Sequence, residues 1–302
     1  MNYYTIETQK PIAGVARSAM MVDLNIAVYS GRKQDKSTQA EVTNAKGSGS
    51  KKAASVYKNL FAECKELDAI TKFQARARAE HYKLTLPWND QGARLLPTAA
   101  LLDYQKTMAK HNTEFNRLVD AFLDKYETLV AGAAFQLGTL FDRNEYPSRG
   151  KVAQRFRMEA SFTPLPTGGD FRLDVESEVQ RNLIAQYEEK LDAKLKAANQ
   201  DSWTRLYNAI SKLSDRLTVD EDGKKRTFHD TTVTNAVELC ELLHVMNITG
   251  DPALTKASRK LEEVLSGVTP KELREEDSTR ALTKIKVDEI LGAFDWGVAD
   301  GE

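Results

Sequence analysis

Between residues 145 and 175, EYPSRGKVAQRFRMEASFTPLPTGGDFRLDV, the chain changes its period. On either side, apolar residues recur every three to four positions, as they do along one face of a helix. Within this stretch Phe156, Met158, Ala160 and Phe162 alternate with Arg155, Arg157, Glu159 and Ser161. Phe171, Leu173 and Val175 then alternate with Arg172 and Asp174. A period of two is that of a half-buried strand, and two such runs joined by the Pro/Gly-rich TPLPTGGD predict a hairpin. The alternation in VDLNIAVY (22–29) and in HYKLTL (81–86) supplies two further strands that can pair with it. The expected class is therefore α+β: a small mixed or antiparallel sheet with long helices in the N-terminal half, and a mainly helical C-terminal half.

The remaining segments follow from the same reasoning. Residues 30–52, SGRKQDKSTQAEVTNAKGSGSKK, offer nothing to bury and read as a long mobile loop. Val56, Tyr57, Leu60, Cys64 and Leu67 share a helical face, which predicts a helix from Ala53 to about Glu80. A stripe from Leu101 to Leu140 predicts one very long helix from Pro97, with a break near Gly132 or Gly138. Beyond Val175 the helices are expected at 176–198, from a cap at Asp201 and Ser202, near Thr232, and from Asp251-Pro252. Thr269-Pro270-Lys271-Glu272 forms a capping box with proline at its first helical position. The Asp222-Gly223 turn predicts a small β-ribbon. The domain boundaries expected from these readings are a basic α+β domain at 1–175, an acidic helical domain at 176–294 and an acidic tail at 295–302.

Charge is distributed unevenly along the chain. Residues 1–160 hold 24 Lys+Arg against 17 Asp+Glu, a net of +7, and residues 161–302 hold 19 against 27, a net of −8. Opposed halves point to a basic working surface and an acidic partner surface. Hydrophobic residues make up 41% of the 302, enough for a core, and 29% are charged. No apolar run approaches the ~20 residues of a membrane span, and MNYYTIETQK lacks the layout of a secretory leader, so a cytoplasmic location is expected. Cys64 and Cys240 lie in helical patterns and read as buried thiols.

Motifs for catalysis and for cofactor or metal binding are wanting. His81, His111, His229 and His244 form no His-x-x-x-His pair, and Cys240 with His244 reads as packing among leucines. Gly47-Ser48-Gly49-Ser50-Lys51-Lys52 has the wrong glycine spacing for a phosphate loop. The expectation is a non-enzymatic protein with no cofactor and no metal. The basic positions are Arg32, Lys33, Lys51, Lys52, Arg149, Lys151, Arg155 and Arg157, with Trp88 near them. Basic side chains interspersed with aromatics are what tracks a phosphate backbone while stacking bases, so these are the candidate nucleic-acid-binding residues. The same residues also fit an ordinary solvated face. At the C-terminal end, Phe294, Asp295 and Trp296 are candidates for recruiting a protein partner.

LNIAVYSGRK (24–33) and YPSRGKVAQRFRMEASFTPLP (146–166) resemble an uncharacterised family of phage and prophage proteins, over about half the chain. Members of that family are often encoded near a MoxR-type AAA+ ATPase and a von Willebrand factor A-like protein. The resemblance implies a location in the host cell and an ATPase or host protein as partner, without an established activity. Two functions are therefore expected as alternatives. One is a protein that engages nucleic acid, single-stranded by preference, in support of replication or recombination. The other is a helical adaptor or cofactor of a phage AAA+ ATPase, or an inhibitor of a host protein.

Overall fold

The strand expected at 22–29 forms as β1 (Ala19–Ala27), with Val22 and Ile26 buried in a computed structural model of the chain. The structure describes residues 15, 17–50, 52–89, 92–166, 177–219 and 223–297. β1 pairs antiparallel with β5 (Arg94–Pro97), placing Ala19 opposite Pro97 and Val22 opposite Arg94. β5 in turn pairs with the two-residue β4 (Leu86–Pro87), and β6 (Arg157–Pro164) completes a four-stranded antiparallel sheet in the order β4-β5-β1-β6. The second arm of the expected hairpin, Phe171 to Val175, lies outside the described residues.

The expected mobile loop is instead ordered. β2 (Arg32–Gln34) pairs antiparallel with β3 (Tyr57–Asn59), and α1 (Lys36–Ala45) lies between them. Asp35 caps α1, accepting from the backbone N–H groups of Ser37 and Thr38 at 3.1 Å each. The polar composition concealed this cap. A helix from Ala53 is also corrected: Leu60, Phe61 and Cys64 are buried in a turn, Glu63 has φ +58, and α2 begins only at Lys65 (Lys65–Lys83). The 3.6 spacing was real but served a different purpose. Phe61 is the centre of an aromatic core, with ring centroids 6.2 Å from Tyr29, 5.7 Å from Phe122, 5.6 Å from Tyr126 and 5.4 Å from Tyr146.

α2 extends to Lys83, into the strand expected at 82–86, of which Leu86 alone lies in a strand, β4. The Arg205 guanidinium takes carbonyls at the end of this helix, donating to Tyr82 O at 3.1 Å and Lys83 O at 2.8 Å, and to Thr85 O just beyond it at 2.8 Å. The long helix from Pro97 breaks at Lys125, not at Gly132, giving α3 (Leu101–Asp124) and α4 (Tyr126–Leu137). At the break Arg149 donates to the Leu123 carbonyl at 3.0 Å. Gly138 then ends α4 at φ +51, a conformation that suits glycine. The short α5 (Arg149–Ala153) leads into β6.

The C-terminal part is helical as expected, with one fewer break. α6 (Ser177–Leu217) runs for 41 residues, about 60 Å, straight through Asp201 and Ser202. Asp201 caps nothing because its carboxylate pairs with Arg205 one turn on, at 2.7 Å. α7 (Asp230–Met246), α8 (Pro252–Leu265), α9 (Pro270–Glu275) and α10 (Asp277–Ala293) pack with α6 around Leu206, Ile210, Leu213, Cys240, Leu261 and Val287. Asp251 caps α8, and the capping box at Thr269 and Glu272 forms as read. An isolated antiparallel bridge joins Val219 to Lys225 where the ribbon was expected, with residues 220–222 outside the described set. None of the described helices is long and apolar enough to cross a membrane.

The described chain resolves into two compact units that do not follow the expected boundary at residue 175. One comprises Leu24–His81 and Gln105–Ala160; the other comprises the chain through Asp23, Tyr82–Tyr104 and the chain from Ser161 on. Counted on the sequence, the first holds 20 Lys+Arg against 13 Asp+Glu, a net of +7. The rest of the chain holds 23 against 31, a net of −8. The whole basic excess therefore belongs to the first, called the basic unit below, and the other is the acidic unit.

Candidate nucleic-acid interface

β6 begins at Arg157, two residues after the alternation read from the sequence; Arg155 sits in the turn that follows α5, where its N–H donates to Val152 O at 2.9 Å, and both arginines are exposed on either side of the half-buried Phe156. With Gln154 they line a shallow groove whose remaining wall is Ala27 and Val28, at the end of β1. Neither arginine has a carboxylate within ion-pair distance among the described residues. Beneath them Tyr29 is buried, and burial raises its phenol above the ordinary value, with the charge of Arg155 pulling the other way.

The other nominated cations divide into two groups. Arg32 and Lys33 are exposed on the β2/β3 ribbon, Lys52 on the turn before β3 and Lys151 on α5, and these too lack an acidic partner among the described residues. Arg149 is different. Besides the Leu123 carbonyl it holds Asp124 at 3.0 Å, so its guanidinium is partly spent on bracing the helix break. Lys51 lies outside the described residues.

Trp88 requires correction. Its side chain belongs to a buried cluster of the acidic unit with Leu86, Leu95, Leu191, Leu195 and Ile248, and the Lys194 ammonium covers its ring at 5.0 Å. A ring closed off in this way cannot stack on a base, and its sequence neighbours Pro87 and Asn89 gave no sign of the burial. Phe294 and Trp296 are corrected in the same sense. Trp296 packs edge-on to Trp203 at 5.5 Å, donates from Nε1 to Leu291 O at 2.9 Å, and is 8% exposed. Its own carbonyl accepts from Gln200 at 3.0 Å, and Phe294 lies under the Lys260 ammonium at 5.6 Å. Asp295 alone stays exposed, accepting from Gly297 N–H at 3.1 Å. Through Gly297 this segment seals a core, and residues 298–302 lie outside the described set.

Groups suited to chemistry are dispersed. Among the described residues, no three His, Cys, Asp or Glu side chains gather as a metal site would require. Cys64 and Cys240 are free and buried, and burial pushes the Cys240 thiol up to about 12, far from thiolate. His244 turns away from Cys240 to meet Glu262 at 2.9 Å. Burial lowers His111, whose ring stands edge-on to Phe73 at 5.6 Å. No protein-family model matches the chain, and neither a curated protein nor a solved structure is significantly similar to it.

Sequence reading missed the exposed tyrosine on β3. Tyr57 was assigned to the buried face of a helix, yet it is 57% exposed. Its signal was the pairing of 32–34 with 57–59, a non-local one that a single segment does not carry.

Proposed function

We propose that this is a phage-encoded, non-enzymatic binding protein whose basic unit engages single-stranded nucleic acid in support of replication or recombination. The observation that carries the reading is the groove with Arg155 and Arg157, two exposed guanidiniums without acidic partners in the unit that holds all the excess positive charge. Other cations of this unit are paired, as Arg117 with Glu114, Lys125 with Glu66 and Arg143 with Glu127. The phage assignment rests on the resemblance at 24–33 and 146–166.

Salt dependence tests it. If Arg32, Lys33, Lys52, Lys151, Arg155 and Arg157 each neutralise a phosphate, affinity for a labelled single strand falls on the order of 10²- to 10³-fold between 50 and 200 mM salt. Replacing Arg155 and Arg157 with Gln lowers the log–log slope by about 1.4, since each lost contact on a single strand removes about 0.7. Absence of binding to single-stranded DNA, duplex DNA and RNA at 50 mM salt overturns the reading.

A second reading is the adaptor, with an AAA+ ATPase or a host protein as partner. Leu282 and Ile285, three residues apart on α10, are 55% and 56% exposed, an apolar pair of the kind that docks protein. Co-purification that survives nuclease and is lost on Leu282→Asp with Ile285→Asp favours it.

A further inference from the structure

We infer that the front of the β2/β3 ribbon is a base-stacking platform, with Tyr57 as its aromatic surface and Arg32, Gln34 and Asn59 beside it. This deepens the single-strand reading above and rests on it. Residues directly opposite in an antiparallel pair share a face, and so do alternate residues of one strand. The register Arg32↔Asn59 and Gln34↔Tyr57 therefore collects these four on one side. All four are exposed. Lys33 and Lys58 take the opposite side, where Lys58 is held by Glu145 at 2.7 Å and donates to Leu140 O at 2.8 Å. On the back Lys58 is tied down while Lys33 stays exposed, and the front is open along all four residues.

The choice of tyrosine on that front is informative. The other three tyrosines of the basic unit, Tyr29, Tyr126 and Tyr146, are buried against the Phe61 cluster, with Tyr126 and Tyr146 spending their hydroxyls on the carbonyls of Pro147 and Leu60. Tyr57 stands outside this core. Its strand is nonetheless rigidly framed: Asp35 N–H donates to Val56 O at 2.9 Å, and Leu60 N–H donates to Gly31 O at 2.7 Å. Gly31 itself has φ +60, and a Cβ there would stand 3.1 Å from Leu67 and 3.2 Å from Phe61, so the ribbon enters through a turn only glycine fits. A fixed, exposed aromatic beside a guanidinium offers a π-face to any base and a charge to its phosphate, with two amides in reach of base edges.

The platform also lies close to the arginine groove along the chain. Val28 lines the groove and Arg32 opens the ribbon, so three residues lie between them, four backbone steps spanning at most ~14 Å. Groove and platform thus belong to neighbouring segments of one unit, and a single strand would set phosphates on Arg155 and Arg157 and a base on Tyr57. Duplex hides its base faces in the stack, and the geometry therefore selects an unpaired strand.

The test uses the full chain and two labelled probes of equal length, an oligothymidylate and an abasic oligomer with the same phosphates. Tyr57→Ala is expected to weaken oligothymidylate binding about tenfold and leave the abasic probe unchanged, with Tyr57→Phe close to the parent protein on both. Arg155→Gln with Arg157→Gln weakens both probes. Equal binding of oligothymidylate by Tyr57→Ala and the parent overturns the platform while leaving the groove reading intact, and so does an equal loss on both probes. A parent protein that binds neither probe at 50 mM salt overturns the single-strand reading and the platform with it.

Discussion

The basic and acidic units solve the same problem of cohesion with different materials. The basic unit closes around one phenylalanine, Phe61, with four rings packed edge-on or tilted against it. The acidic unit combines aliphatic side chains and the Trp203, Phe294 and Trp296 rings with polar groups carried into the interior. Arg280, 2% exposed, donates to the carbonyls of Leu217 at 3.0 Å, Leu273 at 3.1 Å and Arg216 at 2.6 Å. Asp251 is comparably enclosed, with one carboxylate oxygen capping α8 and the other accepting from Asn199 at 3.0 Å and Trp203 Nε1 at 2.9 Å. A buried polar group is tolerable only when its hydrogen bonds are made, so the acidic unit is the more exacting in geometry. The basic unit, sealed by rings, is free to leave cations on its outside.

Removing the centre of each core is the strongest challenge to this contrast. Phe61→Ala and Trp296→Ala are each expected to cost about 3–5 kcal/mol in urea unfolding, the range for deleting a large buried ring. A Trp296→Ala variant of parental stability would return the C-terminal aromatics to the role of a free tail. Next in size is Arg280→Ala, with an expected loss of about 3 kcal/mol, because several buried carbonyls lose their donor together. Arg280→Lys recovers little of it, since a single ammonium lacks the planar fork that reaches three carbonyls. A loss below about 1 kcal/mol for Arg280→Ala would mean that water serves those carbonyls as well, and the distinction between the two interiors would weaken.

The smallest expected effect is the most specific. Hydrogen bonds from Ser37 and the Thr38 N–H, with Lys58 nearby, hold the Asp35 carboxyl down from 3.8 to about 2. A carboxyl depressed on folding adds stability that is fully present above its unfolded value and is lost as pH falls through the folded one. Asp35→Asn is therefore expected to lower the urea midpoint at pH 6, with the gap to the parent closing as pH drops from about 4 toward about 2. A gap independent of pH would show that the side chain acts through the shape of its cap and not its charge.

What the sequence made legible were the local signals. β1 follows its alternation, and the caps at Asp251 and Thr269 act within three residues of where they stand. Arg157 was readable for the same reason, since alternation with Met158 turns it outward, whereas Arg155 is exposed from the turn before the strand. Pairing between distant segments was not legible. β2 finds β3 across α1, and β5 was hidden because Arg94–Pro97 has no alternating pattern of its own and is defined by β1 and β4. Trp88 and Trp296 illustrate a further limit: a tryptophan beside charged or polar residues reads the same whether it faces solvent or fills a core contributed by helices elsewhere in the chain. At Asp201 a helix-starting residue was read correctly as a type and wrongly as a role, because Arg205 one turn later claimed its carboxylate.

The discontinuity of both units bears on how the chain is made. The ribosome delivers residues in order, and the last segment of the basic unit ends at Ala160. That unit can thus complete its aromatic core while roughly the second half of the polypeptide is still to be synthesised. The acidic unit cannot, because β4, β5 and the start of β1 emerge early and must wait for α6 and the end of α7 before Leu86, Trp88 and Leu95 have Leu191, Leu195 and Ile248 to close over them. During translation these early apolar residues stay without their helical cover longer than those of the basic unit.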